Sequence, residues 1–194
     1  TVTETQAAMD SMAAAKPTLA RVQNIGVSWD KQKAGGATGH DLKVLVLGNQ
    51  ANGTPKFRFF LMGAIHAREY TTAELAMRFA EQVLNGYGTN PDATWLLDHA
   101  ELHVVPMVNP DGRLFAEAGQ SWRKNTNTDV GCPSLPGVDL NRNHTFKWGT
   151  GGSSTSPCDE TYRGPSAGSE PEVQAIESYM RSIFADQRLS LIHI

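Results

Sequence analysis

Cysteine is scarce: the 194 residues contain two, Cys132 and Cys158. That minimal even set is compatible with one disulfide outside the cytosol or with two inert thiols. Long apolar runs are missing, since no stretch approaches the roughly 18 consecutive apolar residues that cross a bilayer. The opening Thr1-Val2-Thr3-Glu4 has neither the basic nor the apolar region of an export signal, so the chain reads as soluble with any such signal already absent. Clustered positive charge is lacking as well. Seventeen Lys and Arg against 20 Asp and Glu leave a formal charge of -3, and the basic residues are scattered, which argues against a nucleic-acid partner. What remains is an ordinary globular composition, 40% hydrophobic with 18 Gly and 10 Pro, compatible with one domain or with a piece of a larger one.

Hydrophobic periodicity orders the chain. Thr3 and Gln6 form a possible capping box for a short first helix that stops at Pro17. Ile25, Val27 and Trp29 alternate as in a strand, and Asp41-LKVLVL-Gly48 and Lys56-FRFFLM-Gly63 read as strands buried on both faces. Thr71 and Glu74 suggest a second capping box, followed by Leu75, Phe79 and Val83 on one helical face as far as Asn85-Gly86. A further strand, Glu101-LHVVPMV, enters the turn Asn109-Pro110-Asp111-Gly112. Residues 119–168 are rich in Gly, Ser, Thr, Asn and Pro and read as a long irregular surface region. Ser169 and Glu172 suggest the cap of a last helix with Val173, Ile176, Met180 and Phe184 on one face. Strands alternating with helices predict an α/β fold, with no internal repeat and no interdomain linker.

Chemistry is expected just beyond the carboxyl ends of strands in such a sheet. Gly63-Ala64-Ile65-His66-Ala67-Arg68-Glu69-Tyr70 follows a strand directly, and His66 with Glu69 has a spacing that lets an imidazole and a carboxylate converge on one zinc ion. On spacing alone, a loop histidine beside a helix-start glutamate is an equal reading. Arg123, in Ser121-Trp122-Arg123-Lys124, can face a developing oxyanion or be a solvated loop residue. Asp139-Leu140-Asn141-Arg142-Asn143 gathers amides around an arginine, a set suited to a carboxylate, or forms a polar turn. His40, His99, His103 and His144 lack a partner spacing and read as ordinary histidines.

Taken together these segments resemble the zinc metallocarboxypeptidases of the carboxypeptidase A/B type, from about Asp41 to about Asp186, with a look closer to bacterial secreted members. The resemblance rests on Gly63–Glu69, Val108–Gly112, Trp122–Lys124, Gly137–Asn143, and Ser156–Gly164 followed by Ser169–Glu172, in the family's order. It implies a three-layer α/β/α sandwich around a mixed, mainly parallel sheet, truncated at its C-terminal side. It also implies a Zn2+ cofactor with His66 and Glu69 as two of its three protein ligands. By the same resemblance, Arg68 lies at a substrate subsite, Arg123 stabilises the tetrahedral intermediate, and Asn141 with Arg142 grips the free C-terminal carboxylate of a peptide or protein substrate. Cys132 and Cys158 become the family's disulfide, which implies a secreted or periplasmic protein, with no membrane partner and monomeric when complete.

The chain departs from the family near its end. The family's third ligand is a histidine at a strand end, usually followed by Ser-Tyr, whereas here His193 is followed by Ile194 alone. Two readings stay open: His193 is that ligand, or Leu189–Ile194 is a non-native tail resembling translated sequencing-adapter read-through. In either case the general-base glutamate and the substrate-capping tyrosine fall outside the sequence. Residues 1–194 are therefore expected to be part of a catalytic domain, inactive alone. A non-catalytic binder of peptide C-termini is the alternative on the same scaffold, and a zinc amidohydrolase acting on acylated amino acids is a third reading.

Overall fold

The computed structural model describes residues 1–53, 55–185 and 189–193, the last five by the course of their backbone only. The elements run α1 (Val2–Ala15), β1 (Ala20–Val27), α2 (Trp29–Lys33), β2 (Asp41–Leu47), β3 (Phe57–Met62), α3 (Tyr70–Gly86), α4 (Pro91–His99), β4 (Ala100–Val105), α5 (Pro110–Glu117), α6 (Leu140–Asn143), α7 (Pro171–Ile183) and β5 (Leu189–His193). The strands form one sheet in the order β1-β2-β4-β3-β5.

Alternation along the buried strands sends side chains to two cores. On one face Leu45, Leu47, Leu61, Leu102 and Val104 pack with Met9 of α1 and with α3 and α4. On the other, Val44, Val46, Phe60, Met62 and Val105 pack against Val173 and Ile176 of α7. This is the expected three-layer sandwich around a mixed sheet. Its antiparallel share is larger than a mainly parallel sheet would have: β1–β2 and β2–β4 are antiparallel, while β3–β4 and β3–β5 are parallel. The β3-to-β4 connection carries α3 and α4, which gives the crossover that parallel neighbours need, whereas the antiparallel β1 and β2 are joined through the short α2.

None of the three expected capping boxes forms. The first helix is boxed by Thr1 and Glu4. Helix α3 starts at Tyr70 without a side-chain cap, which puts Thr71 inside its first turn, and Glu74 pairs with Arg78 instead. Helix α7 starts at Pro171, also uncapped by a side chain, and Glu172 turns inward instead. The buried stripe of α3 is Ala73, Ala76, Met77, Ala80, Val83 and Leu84, not the one through Leu75, which is 54% exposed. Small residues on that stripe let the helix axis approach the sheet. Trp29 opens α2 rather than ending a strand, and α2 is one of four helices the sequence does not announce, with α4, capped by Asn90 at Pro91, α5, which grows out of the Asn109-Pro110 turn, and the short α6.

Residues 119–168 are irregular apart from a 3-10 turn (Thr128–Val130) and α6. They are organised by buried polar groups. Glu170 accepts from the amides of Asn125 (2.7 Å) and Asn127 (2.9 Å), and Glu172 accepts from the Trp29 backbone (2.7 Å) and from Asn125 (3.3 Å). Burial pushes the Glu172 carboxyl up to about 8, helped by the neighbouring Glu170 and opposed by its Trp29 and Asn125 hydrogen bonds. The folded protein thus keeps a proton there that the unfolded chain releases near 4.5. Stability from this group is full below pH 4.5 and declines as the pH rises toward 8. Glu172→Gln is expected to flatten the fall of unfolding free energy between pH 5 and 8, read from denaturant melts at several pH values; an unchanged slope would contradict the assignment.

Candidate active site

The site gathers past the C-terminal end of β3. Ala64, fully buried, takes a left-handed conformation (φ 49) that turns the chain so that His66 faces inward. The turn is laced to the loop after β4, since the Val108 amide donates to the Gly63 carbonyl and the Asn109 amide to that of Ala64. Asn109 in turn donates to the Lys124 carbonyl at 2.9 Å, which brings the loop bearing Arg123 alongside.

His66 sits between two carboxylates. Its Nδ1 is 2.8 Å from Glu69 Oε1, and its Nε2 is 3.2 Å from Asp139 Oδ1. Asp139 is fully buried, and its other oxygen accepts from Arg123 Nη2 (2.9 Å) and Nε (3.2 Å). Its first oxygen also takes the Asn141 amide at 3.0 Å, capping α6. Burial alone would raise the Asp139 carboxyl, but the hydrogen bonds from His66 and Arg123 and the guanidinium charge hold it below the usual carboxylate range.

The structure brings His66, Glu69 and Arg123 together and places Asn141 and Arg142 directly after Asp139. Arg142 donates to the carbonyls of Gly152 (2.7 Å) and Asn141 (3.0 Å). Asn141 and Arg142 line an open cleft of about 270 Å³ with His144, Phe146, Lys147 and Trp148. Arg68 forms a two-pronged pair with Glu160, both distances 2.8 Å. The Glu160 hydrogen bond raises Arg68, and the Arg68 hydrogen bond lowers Glu160. Sequence reasoning gave no role to Asp139 or Glu160, although both lie inside motifs it singled out. A pairing 73 residues apart leaves no local periodicity to detect. Of the histidines read as ordinary, His103 is buried on β4 against the Tyr179 hydroxyl (2.7 Å), and burial pushes it down to about 4.

A neutral imidazole donates only one proton, so a ring between two carboxylates needs a second proton or a cation on its other edge. With Asp139 accepting from Nε2, the Nδ1 lone pair and Glu69 Oε1 form a nitrogen–oxygen pair that suits zinc, with the outer carboxylate that metal-binding histidines usually have. Among the described residues no third His, Cys, Asp or Glu completes such a set. The side chain of His193 lies outside the described residues. Its backbone pairs with Met62, four residues before His66, at the same end of the parallel strands.

Cys132 and Cys158 are bridged, with Cα atoms 5.3 Å apart, and the bridge spans the segment carrying Asp139, Asn141 and Arg142. A Cys132→Ser, Cys158→Ser double variant is expected to lose about 2–4 kcal/mol of stability. Thiol labelling of the denatured, unreduced wild type should find no free cysteine, and two labelled thiols would refute the bridge.

Residues 5–192 match the zinc carboxypeptidase family. Carboxypeptidase A2 of Mus musculus is 34% identical over 183 residues, 94% of this chain and 41% of that protein. Metallocarboxypeptidase A of Trichophyton rubrum is 37% identical over 132 residues, 66% of this chain and 31% of the fungal protein. The crystal structure of thrombin activatable fibrinolysis inhibitor superposes with a TM-score of 0.87 at 28% identity, covering 100% of this chain and 46% of that one. Carboxypeptidase A from Helicoverpa armigera gives 0.80 at 28% identity, over 95% of this chain and 42% of the other. The chain thus spans less than half the length of these relatives.

Proposed function

The chain belongs to the zinc carboxypeptidase family, and on that premise we propose that the complete protein removes C-terminal residues from peptides or proteins by zinc-dependent hydrolysis. The observation that carries this reading is the buried Asp139, joined at once to His66, to Arg123 and to the first turn of the Asn141–Arg142 segment. One carboxylate thereby sets the relative positions of a metal donor, an oxyanion donor and a carboxylate clamp.

His66 and Glu69 would hold the ion, and His193 would be its third ligand in the reading that takes Leu189–Ile194 as native. Bound zinc supplies Lewis-acid polarisation of a carbonyl and acidification of water. Asp139 fixes the His66 ring so that Nδ1 faces Glu69. Arg123 gives Nε and Nη2 to Asp139, leaving Nη1 for negative charge that develops on the substrate carbonyl oxygen. Asn141 and Arg142 bind the free terminal carboxylate, which confines cleavage to the last residue. Arg68, steadied by Glu160, contacts the substrate further along its chain.

In this reading residues 1–194 are part of the catalytic domain, and the general base and capping tyrosine are supplied by sequence outside them, so the 194-residue chain alone does not turn over substrate. The Cys132–Cys158 bridge supports an exported protein. Among the described residues no helix is long and apolar enough to cross a membrane, and the complete protein is taken to be a monomer.

Two measurements on the complete protein test the reading. His66→Ala and Glu69→Ala are each expected to lose most of the bound zinc after dialysis, with hydrolysis falling in parallel; stoichiometric metal in both variants would sink the ligand assignment. Arg142→Ala is expected to weaken binding of free-carboxylate peptides by roughly 10–100-fold, the worth of a charge-assisted hydrogen bond, and to leave amidated peptides nearly unaffected. Equal weakening of both would mean that Arg142 does not read the carboxylate. Tight binding of free C-termini without hydrolysis would identify a binder instead of an enzyme.

A further inference from the structure

The turn from His66 to Tyr70 is held from behind by a residue that none of the chemistry above uses. Arg113, in the first turns of α5, has a side chain only 4% exposed. Its Nη1 donates to the Ala67 carbonyl at 2.9 Å and its Nη2 to the Tyr70 carbonyl at 3.4 Å. The guanidinium carbon lies 3.9 Å from the centre of the Tyr70 ring. Those two carbonyls bracket the donors: Ala67 is bonded to His66, and Tyr70 to Glu69. The Ala67 amide is fixed too, donating to the Arg123 carbonyl at 3.1 Å.

Two more contacts fix Arg113 itself. Gly112 is pressed so closely against the neighbouring loop that a Cβ there would lie 2.6 Å from the Lys124 carbonyl oxygen, which sets where the arginine begins. Its Nε has no hydrogen-bond partner among the described residues and lies 3.6 Å from Glu117 Oε1, which accepts the Val2 amide at 2.9 Å. A buried cation with an unfilled donor is a poor choice for packing alone. A forked, flat guanidinium is a good choice for holding two carbonyls and an aromatic face in one fixed relation.

We infer that Arg113 is a positioning residue for the metal turn, setting how tightly His66 and Glu69 retain zinc through its grip on the Ala67 and Tyr70 carbonyls. This rests on the zinc reading above. Contacts that orient metal ligands from outside typically change metal affinity by about 10–100-fold when removed.

The test uses the complete zinc-loaded protein and follows transfer of the metal to an excess of a chromogenic chelator. Arg113→Met, similar in length but without donors, is expected to release zinc at least about 10-fold faster than wild type. Its kcat should fall while KM changes little, because the carboxylate clamp at Asn141 and Arg142 is untouched. Arg113→Lys keeps the charge and one donor but not the fork, and an intermediate rate is expected. Cooperative thermal melting identifies folded variants, and if the Met variant does not fold the Lys variant decides. Release at the wild-type rate in a folded variant overturns the inference while leaving the zinc reading standing. A wild-type protein that takes up no zinc overturns both.

Discussion

A carboxylate sealed from water has to be given its positive partners by the protein, and Asp139 takes them from three separate stretches of chain. His66 comes from the turn after β3, Arg123 from the loop after α5, and the Asn141 amide from α6. None of these can shift alone without leaving the buried charge short of a donor. That is why the turn after β3, the loop after α5 and the start of α6 hold a fixed relation at the site. The ionised state is secured by the same contacts, since the donors outweigh the effect of burial.

The irregular half of the chain follows the same rule on a larger scale. Few apolar side chains from residues 119–168 are buried, apart from Trp122, Cys132, Val138, Leu140 and Tyr162. Buried polar groups take over the role of a core: the Lys124 ammonium donates to the Pro157 and Asp159 carbonyls, and the Asn143 amide to those of Arg163 and Ser166. Gly137 shows how tightly this is packed, because its φ of 100 already suits glycine and a Cβ would lie 2.1 Å from the Asn125 carbonyl oxygen. Each such bond adds little net stability, yet losing either partner exposes the full cost of an unpaired buried group. Specific geometry, more than stability, is what this network supplies.

How much of this was legible depends on the range of the deciding interaction. Strands β2 and β3 were read to within a residue, since a continuous apolar run between turn residues is a local signal. The apolar face of α7 was legible for the same reason, with Val173 and Ile176 buried as its periodicity required. The capping boxes failed where other partners competed: Glu74 pairs with Arg78 one turn on, and Glu172 is drawn to the Trp29 amide. Helix α5 was hidden because Asn109-Pro110-Asp111-Gly112 serves equally as a turn or as a helix start, and packing against Lys124 decides between them. At the site, residue types in local motifs were readable, but their partners were not. Nothing near Arg68 in the sequence marks its partner, which is Glu160, 92 residues on, bound through both arms of the guanidinium.

The position of the site on the sheet carries a further consequence. His66 leaves the end of β3, and His193 closes β5, which pairs in parallel with β3 and sets Met62 opposite His193. If the proposed ligand set spans these two strands, metal binding and strand pairing draw on the same free energy, because a ligand on a detached strand is not in place. The ion would then do for these two strands what Asp139 does for the loops, making one charge the condition on which separate segments stay together. Chemistry and folding would be coupled at the end of β3, where the left-handed Ala64 already commits the backbone to an unfavourable conformation for the sake of directing His66 inward.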